Sequence, residues 1–124
     1  MKRPGFADDV EHWRLRNRTT DTMYDIYDGR MWYDLKITID NVTKSFVDEP
    51  YALMLTLNVD WFQAFDRKAP YSVGAIYLTI SNLPRSIRFK KHNVILAGII
   101  PGPHEPKKNQ LNHYLRYVIN ALSF

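Results

Sequence analysis

Apolar and polar positions alternate most cleanly from Leu53 to Asp60, where Leu53, Leu55, Leu57 and Val59 are interleaved with Met54, Thr56, Asn58 and Asp60. A period of two belongs to a β-strand, and here it predicts one with a fully buried face. A turn over Asp66 to Pro70 separates it from a second strand, about Tyr71 to Ser81, with Ile76, Leu78 and Ile80 on one face. Leu83-Pro84 ends that strand. A basic connection, Arg85 to His92, leads to a third strand, Asn93 to Ile100, whose nearly uniform apolarity predicts burial on both faces. Prolines at 101, 103 and 106 make the next stretch a turn. Leu111, Tyr114, Leu115, Val118, Ile119 and Leu122 then recur at helical spacing, predicting an amphipathic helix from about Asn109, with Asn109 as its N-cap.

The pattern is weaker before Leu53. Phe6, Val10 and Trp13 share a face at helical spacing, predicting a helix over about Ala7 to Arg16. Its acids (Asp8, Asp9, Glu11) sit near the start and Arg14, Arg16 and Arg18 near the end, complementing the helix dipole. Asp28-Gly29 signals a turn, and the alternation of Leu35, Ile37 and Ile39 favours a strand. The expected fold is α+β: a three-stranded antiparallel sheet followed by an amphipathic helix, with an N-terminal helix. Residues 1–50 form a helical and irregular or hairpin region, and residues 51–124 form the sheet and helix. One helix covers one face of such a sheet, so self-association through an open edge is expected.

Composition narrows the function. Hydrophobic residues make up 45% and aromatics 14%, which suits a folded core rather than a disordered chain. The absence of cysteine excludes disulfides, thiolate zinc sites and a cysteine nucleophile. The run Val94 to Ile100 is too short to span a bilayer, and Met1 to Phe6 leads into charged residues rather than an apolar signal region. The expectation is a soluble, intracellular chain with no membrane partner. The net charge of +4 is unevenly placed: residues 85–124 hold seven basic residues against one acid, Glu105. That asymmetry suits a polyanion. Arg85, Arg88, Lys90 and Lys91 are the candidate phosphate contacts, with Phe89 available to stack; the competing reading is a solvated loop with Phe89 folded back on the sheet.

Asp60 is the candidate for chemistry, because a carboxylate fixed at the end of a rigid strand is what two-metal phosphoryl transfer requires. The same residue also suits a turn cap, and one carboxylate has no specificity. Asp66 and Glu105 lie in turns. His12, His92, His104 and His113 lack metal-ligand spacing and read as surface residues. Trp61 and Phe62 read as core. No G-x-S-x-G elbow, P-loop or dinucleotide fingerprint occurs, and no small-molecule substrate is expected.

Four segments are more telling together. Asn58-Val59-Asp60-Trp61-Phe62-Gln63-Ala64-Phe65, Tyr71-Ser72-Val73-Gly74-Ala75-Ile76-Tyr77, Asn82-Leu83-Pro84-Arg85 and Gly98-Ile99-Ile100-Pro101-Gly102-Pro103-His104-Glu105-Pro106 resemble, in order and spacing, the transposases of CACTA (En/Spm-like) elements, in a version like those of fungal genomes. Tyr24 to Trp32 also resembles the stretch upstream of that core. The resemblance implies an RNase H-like core with an acidic metal-binding triad, Asp60 as its first member, and magnesium in full-length relatives. It also implies DNA as partner and a nuclear location for a working relative. Trp61, Gln63 and Ala64 replace the glycine, asparagine and proline of the plant-type motif, which alters the turn after Asp60. The family continues beyond the point reached at Phe124. The expectation is therefore a truncated transposase-derived domain, inactive alone and binding no metal tightly. The alternatives are a non-catalytic nucleic-acid- or protein-binding module and a pseudogene product.

Overall fold

The computed structural model describes residues 3–17, 21–63 and 71–122. In chain order the elements are α1 (Phe6–Glu11), α2 (Met31–Asp34), β1 (Lys36–Ile39), β2 (Val42–Ser45), β3 (Leu55–Gln63), β4 (Ser72–Ile80), α3 (Arg85–Arg88), β5 (Val94–Ile100) and α4 (Lys108–Leu122), with short 3-10 turns between several of them. Strands β1 and β2 form a hairpin, and β3-β4-β5 form an antiparallel three-stranded sheet in that order. The α+β fold, with an N-terminal helix and a sheet followed by a helix, is as the periodicity predicts. The chain divides into two compact units, Met1–Thr56 with Thr79–Val94, and Leu57–Leu78 with Ile95–Phe124.

In the first unit, Trp13, Tyr27, Trp32 and Val47 form one apolar cluster, and Val10, Ile80 and Leu83 form another. The rings of Trp13 and Trp32 meet edge to face at 5.3 Å, and those of Tyr27 and Trp32 at 5.8 Å, arrangements that favour the aromatic quadrupoles. The predicted N-terminal helix is confirmed but shorter: α1 passes into a 3-10 turn over His12–Leu15. The alternation of Ile37 and Ile39 is indeed a strand. It pairs with β2 from Lys36↔Ser45 to Ile39↔Val42 across Asp40-Asn41. Both turn residues have positive φ, 50° and 63°, which aspartate and asparagine tolerate and which matches the twist of a two-residue hairpin.

The second unit carries most of the sheet. Ile76 and Leu78 of the central strand β4 are buried, with Ile100 of β5 and Val118 of α4. Gly74 leaves room for Trp61, since a Cβ there would sit 2.7 Å from the indole. Several expectations need correction. Strand β3 starts at Leu55 and runs on to Gln63, and its face is only partly covered, with Leu57 exposed. Phe62 is exposed rather than core. Strand β5 is not buried on both faces: it lies at an edge of the sheet, and Ile95, Leu96 and Ile99 are 46%, 62% and 59% exposed. Its uniform apolarity is thus an exposed apolar strand, not a central one. Helix α4 begins one residue earlier than expected, so Asn109 lies inside its first turn. The Gln110 side chain accepts from Lys107 N (2.9 Å) at the helix start.

Candidate nucleic-acid interface

The connection between β4 and β5 is built, not loose. Asn82 enters it fully buried, its Oδ1 accepting from Met54 N (2.8 Å) and its Nδ2 donating to Ala52 O (2.9 Å). Leu83 fills the core beside Val10 and Ile80. Pro84 has no amide proton to leave unsatisfied and stands just before α3, where proline is well tolerated. The Asn82-Leu83-Pro84 motif is therefore a fastening that delivers α3 in a fixed place.

Helix α3 sorts its side chains by helical spacing. Ile87 and Arg88 turn inward, while Arg85 and Phe89, four residues apart, are exposed, as are Ser86 and Lys90. Lys91 and His92 follow on an exposed 3-10 turn. Among the described residues Arg85, Lys90 and Lys91 enter no ion pair. Phe89 is not folded back on the sheet; it is 65% exposed.

Arg88 departs from its neighbours. It is 7% exposed; Nη1 pairs with Asp25 Oδ1 at 2.7 Å, and Nε donates to Leu83 O at 3.0 Å. Its guanidinium lies 5.8 Å from the centroid of Tyr27. A guanidinium buried and paired in this way is not presented on the surface, which sets Arg88 apart from the other three candidate contacts. Sequence alone could not separate it from Arg85, because the partner lies more than sixty residues upstream.

Asp25 is held from its own side as well. It caps the 3-10 turn Ile26–Asp28 reciprocally: its Oδ1 accepts from Ile26 N (2.7 Å), and Asp28 Oδ2 accepts from Asp25 N (2.9 Å). Asp28 Oδ2 also takes Tyr24 N (2.7 Å) and Arg16 Nη2 (2.9 Å). Burial alone would raise the Asp25 carboxyl; the hydrogen bond from Arg88, the Ile26 amide and the Arg88 charge together outweigh it and lower it below 3.8. At Asp28 the desolvation is likewise outweighed, first by the Asp25 and Tyr24 amides and then by Arg16.

Asp60 stands elsewhere, in the second unit. It is an exposed residue within β3, three positions before the strand ends at Gln63, rather than at its terminus. Asp66 lies outside the described residues. Glu105 is exposed and lines a groove of about 460 Å³ with His104, His113, Pro103 and Tyr114. Among the described residues no three His, Asp or Glu side chains come together in a way that could hold a metal ion. The adjoining proline motif is again a fastening: Pro103 O accepts from Ser72 N at 3.1 Å at the start of β4. His12, His92, His104 and His113 are all on the surface, as expected. Among the described residues no helix is long and apolar enough to cross a membrane.

Neither a curated protein nor a solved structure matches the chain. The model of one family, described as transposase family tnp2, matches residues 21–124. That span takes in the Asp25–Asp28 turn, Asp60, the Asn82-Leu83-Pro84 fastening, the basic segment and the proline motif, and the chain belongs to the transposase family tnp2.

Proposed function

We propose that this chain is a DNA-contacting part of a CACTA-type transposase core with an RNase H-like fold, and that Arg85, Lys90 and Lys91 are its phosphate contacts. The observation that carries the reading is the contrast within one short segment: Arg88 is buried and paired, whereas the three cations around it are exposed and enter no ion pair among the described residues. The backbone that carries these cations is already anchored, so only their side chains need ordering when they meet a phosphate backbone. Membership of a transposase family supports DNA as the polyanion. Alanine at all three positions should remove most binding to duplex DNA at low salt, measured by electrophoretic mobility, while the circular dichroism spectrum stays unchanged. Binding that survives the triple substitution returns the segment to a solvated surface.

Within the same reading, full-length members carry out strand cleavage and transfer in the nucleus with magnesium, and Asp60 is the first of their acidic residues. The described residues do not by themselves fit a magnesium pair, because Asp60 is exposed and stands in no convergent set of carboxylates. Magnesium holds its waters tightly and needs several well-placed oxygens. Isolated, the chain should therefore leave supercoiled plasmid intact with magnesium or manganese, and Asp60→Asn should be indistinguishable from it. Metal-dependent nicking that vanishes in Asp60→Asn contradicts this and implies that Asp66, Glu105 or a second copy completes a site. Self-association through the exposed apolar edge strand β5 belongs to the same proposal.

A further inference from the structure

Phe89 is a large aromatic ring left 65% exposed at the C-cap of α3, between two residues that are nearly inaccessible. On one side Arg88 is fixed by Asp25 and Leu83 O. On the other, Asn93, 2% exposed, donates from Nδ2 to Ile87 O at 2.7 Å and from its amide to Lys90 O at 2.7 Å. Lys90 N closes the turn onto Ile87 O at 3.0 Å. The backbone that carries the ring is thus held from both ends. Its near neighbours in sequence on the exposed side are Arg85, Lys90 and Lys91.

We infer that Phe89 is a stacking platform for an unpaired base, so that this segment binds single-stranded DNA in preference to duplex. The inference rests on the phosphate-contact reading of the three cations and adds the form of nucleic acid they serve. An exposed aromatic face flanked by cations meets both demands of a single strand, since the cations track its backbone and the ring covers a base face. A duplex offers no free base face, because each base is already covered by its neighbours. Helix α3, at four residues, is also too short to lie in a major groove and present a row of side chains to base edges.

The test compares an oligothymidylate with a duplex of equal length, using the full chain and fluorescence anisotropy at low salt. Phe89→Ala should weaken binding to the single strand roughly 5- to 150-fold and leave duplex binding unchanged. Phe89→Leu, which keeps the apolar bulk without the aromatic face, should behave like Phe89→Ala. Phe89→Trp should retain affinity and show indole quenching on adding the oligonucleotide, beyond that of the unsubstituted chain. An equal loss on both forms, or no loss on the single strand, overturns the stacking role while leaving the phosphate contacts standing. If the unsubstituted chain binds neither form in a salt-dependent manner, both readings fall.

Discussion

Replacing Arg88 by methionine should destabilise the fold by about 3–5 kcal/mol, the usual consequence of removing one partner from a buried ion pair. Both side chains are 8% exposed, so the Asp25 carboxylate would be left charged, unpaired and largely out of water. Asp25→Leu alone should cost a similar amount, since it strands the guanidinium. The double variant Asp25→Leu with Arg88→Met should recover much of the loss, because most of the penalty is the orphaned charge rather than the missing attraction. Urea unfolding of the four proteins gives the cycle, and two single losses that simply add would show that the pair is not coupled. The same pair fixes a pH dependence. The Asp25 carboxyl is lowered in the folded state, so its contribution is fully present above the unfolded carboxylate range. It is lost as pH falls from about 4 through the lower folded value. Asp28, lowered in the same direction, adds to that acid-side loss.

Gly102→Ala should be the most damaging small substitution in the second unit, with a loss of about 1–3 kcal/mol or more. A Cβ at this position would come within 2.2 Å of the Ser72 carbonyl oxygen and 2.9 Å of the Tyr71 ring. A flexible side chain could move aside, but a backbone carbonyl at the start of β4 is tied by the bond from Ser72 N to Pro103 O. Gly98→Ala is the matching control, because its Cβ would meet only Ile76 Cδ1, at an ordinary 3.9 Å. Thermal melts of the two variants should therefore separate by several degrees. Equal melting temperatures would mean that the proline motif does not approach β4 as described.

The sequence revealed the local periods well and the non-local pairings poorly. Strands β3 to β5 and helix α4 were legible because each needs only its own alternation or stripe, within a residue or a few of the observed ends. Burial was less so. The uniform apolarity of Val94 to Ile100 is the pattern of a central strand, yet that strand lies at the edge with three large side chains exposed. Apolarity records what a strand can bury, not what is beside it. The hairpin turn at Asp40-Asn41 did carry a local signal, two αL-tolerant residues between short alternating runs, which the more familiar Asp28-Gly29 pair eclipsed. At the candidate interface, four cations looked equivalent by composition. Only helical spacing and a distant carboxylate set Arg88 apart. The segments that carry the family likeness are also mostly structural: Asn82 stitches Ala52 and Met54, and Gly102 clears a carbonyl.

The most direct measurement of the central claim is the salt dependence of DNA binding. Each phosphate neutralised on a duplex contributes a slope of about −0.9 to log K against log salt, so three contacts predict a slope of about −2.7. Alanine at Arg85, Lys90 and Lys91 together should bring that slope close to zero. Each single substitution should flatten it by about one unit. A wild-type slope near zero, or a steep slope that the triple variant retains, would contradict the assignment of this segment as the DNA contact.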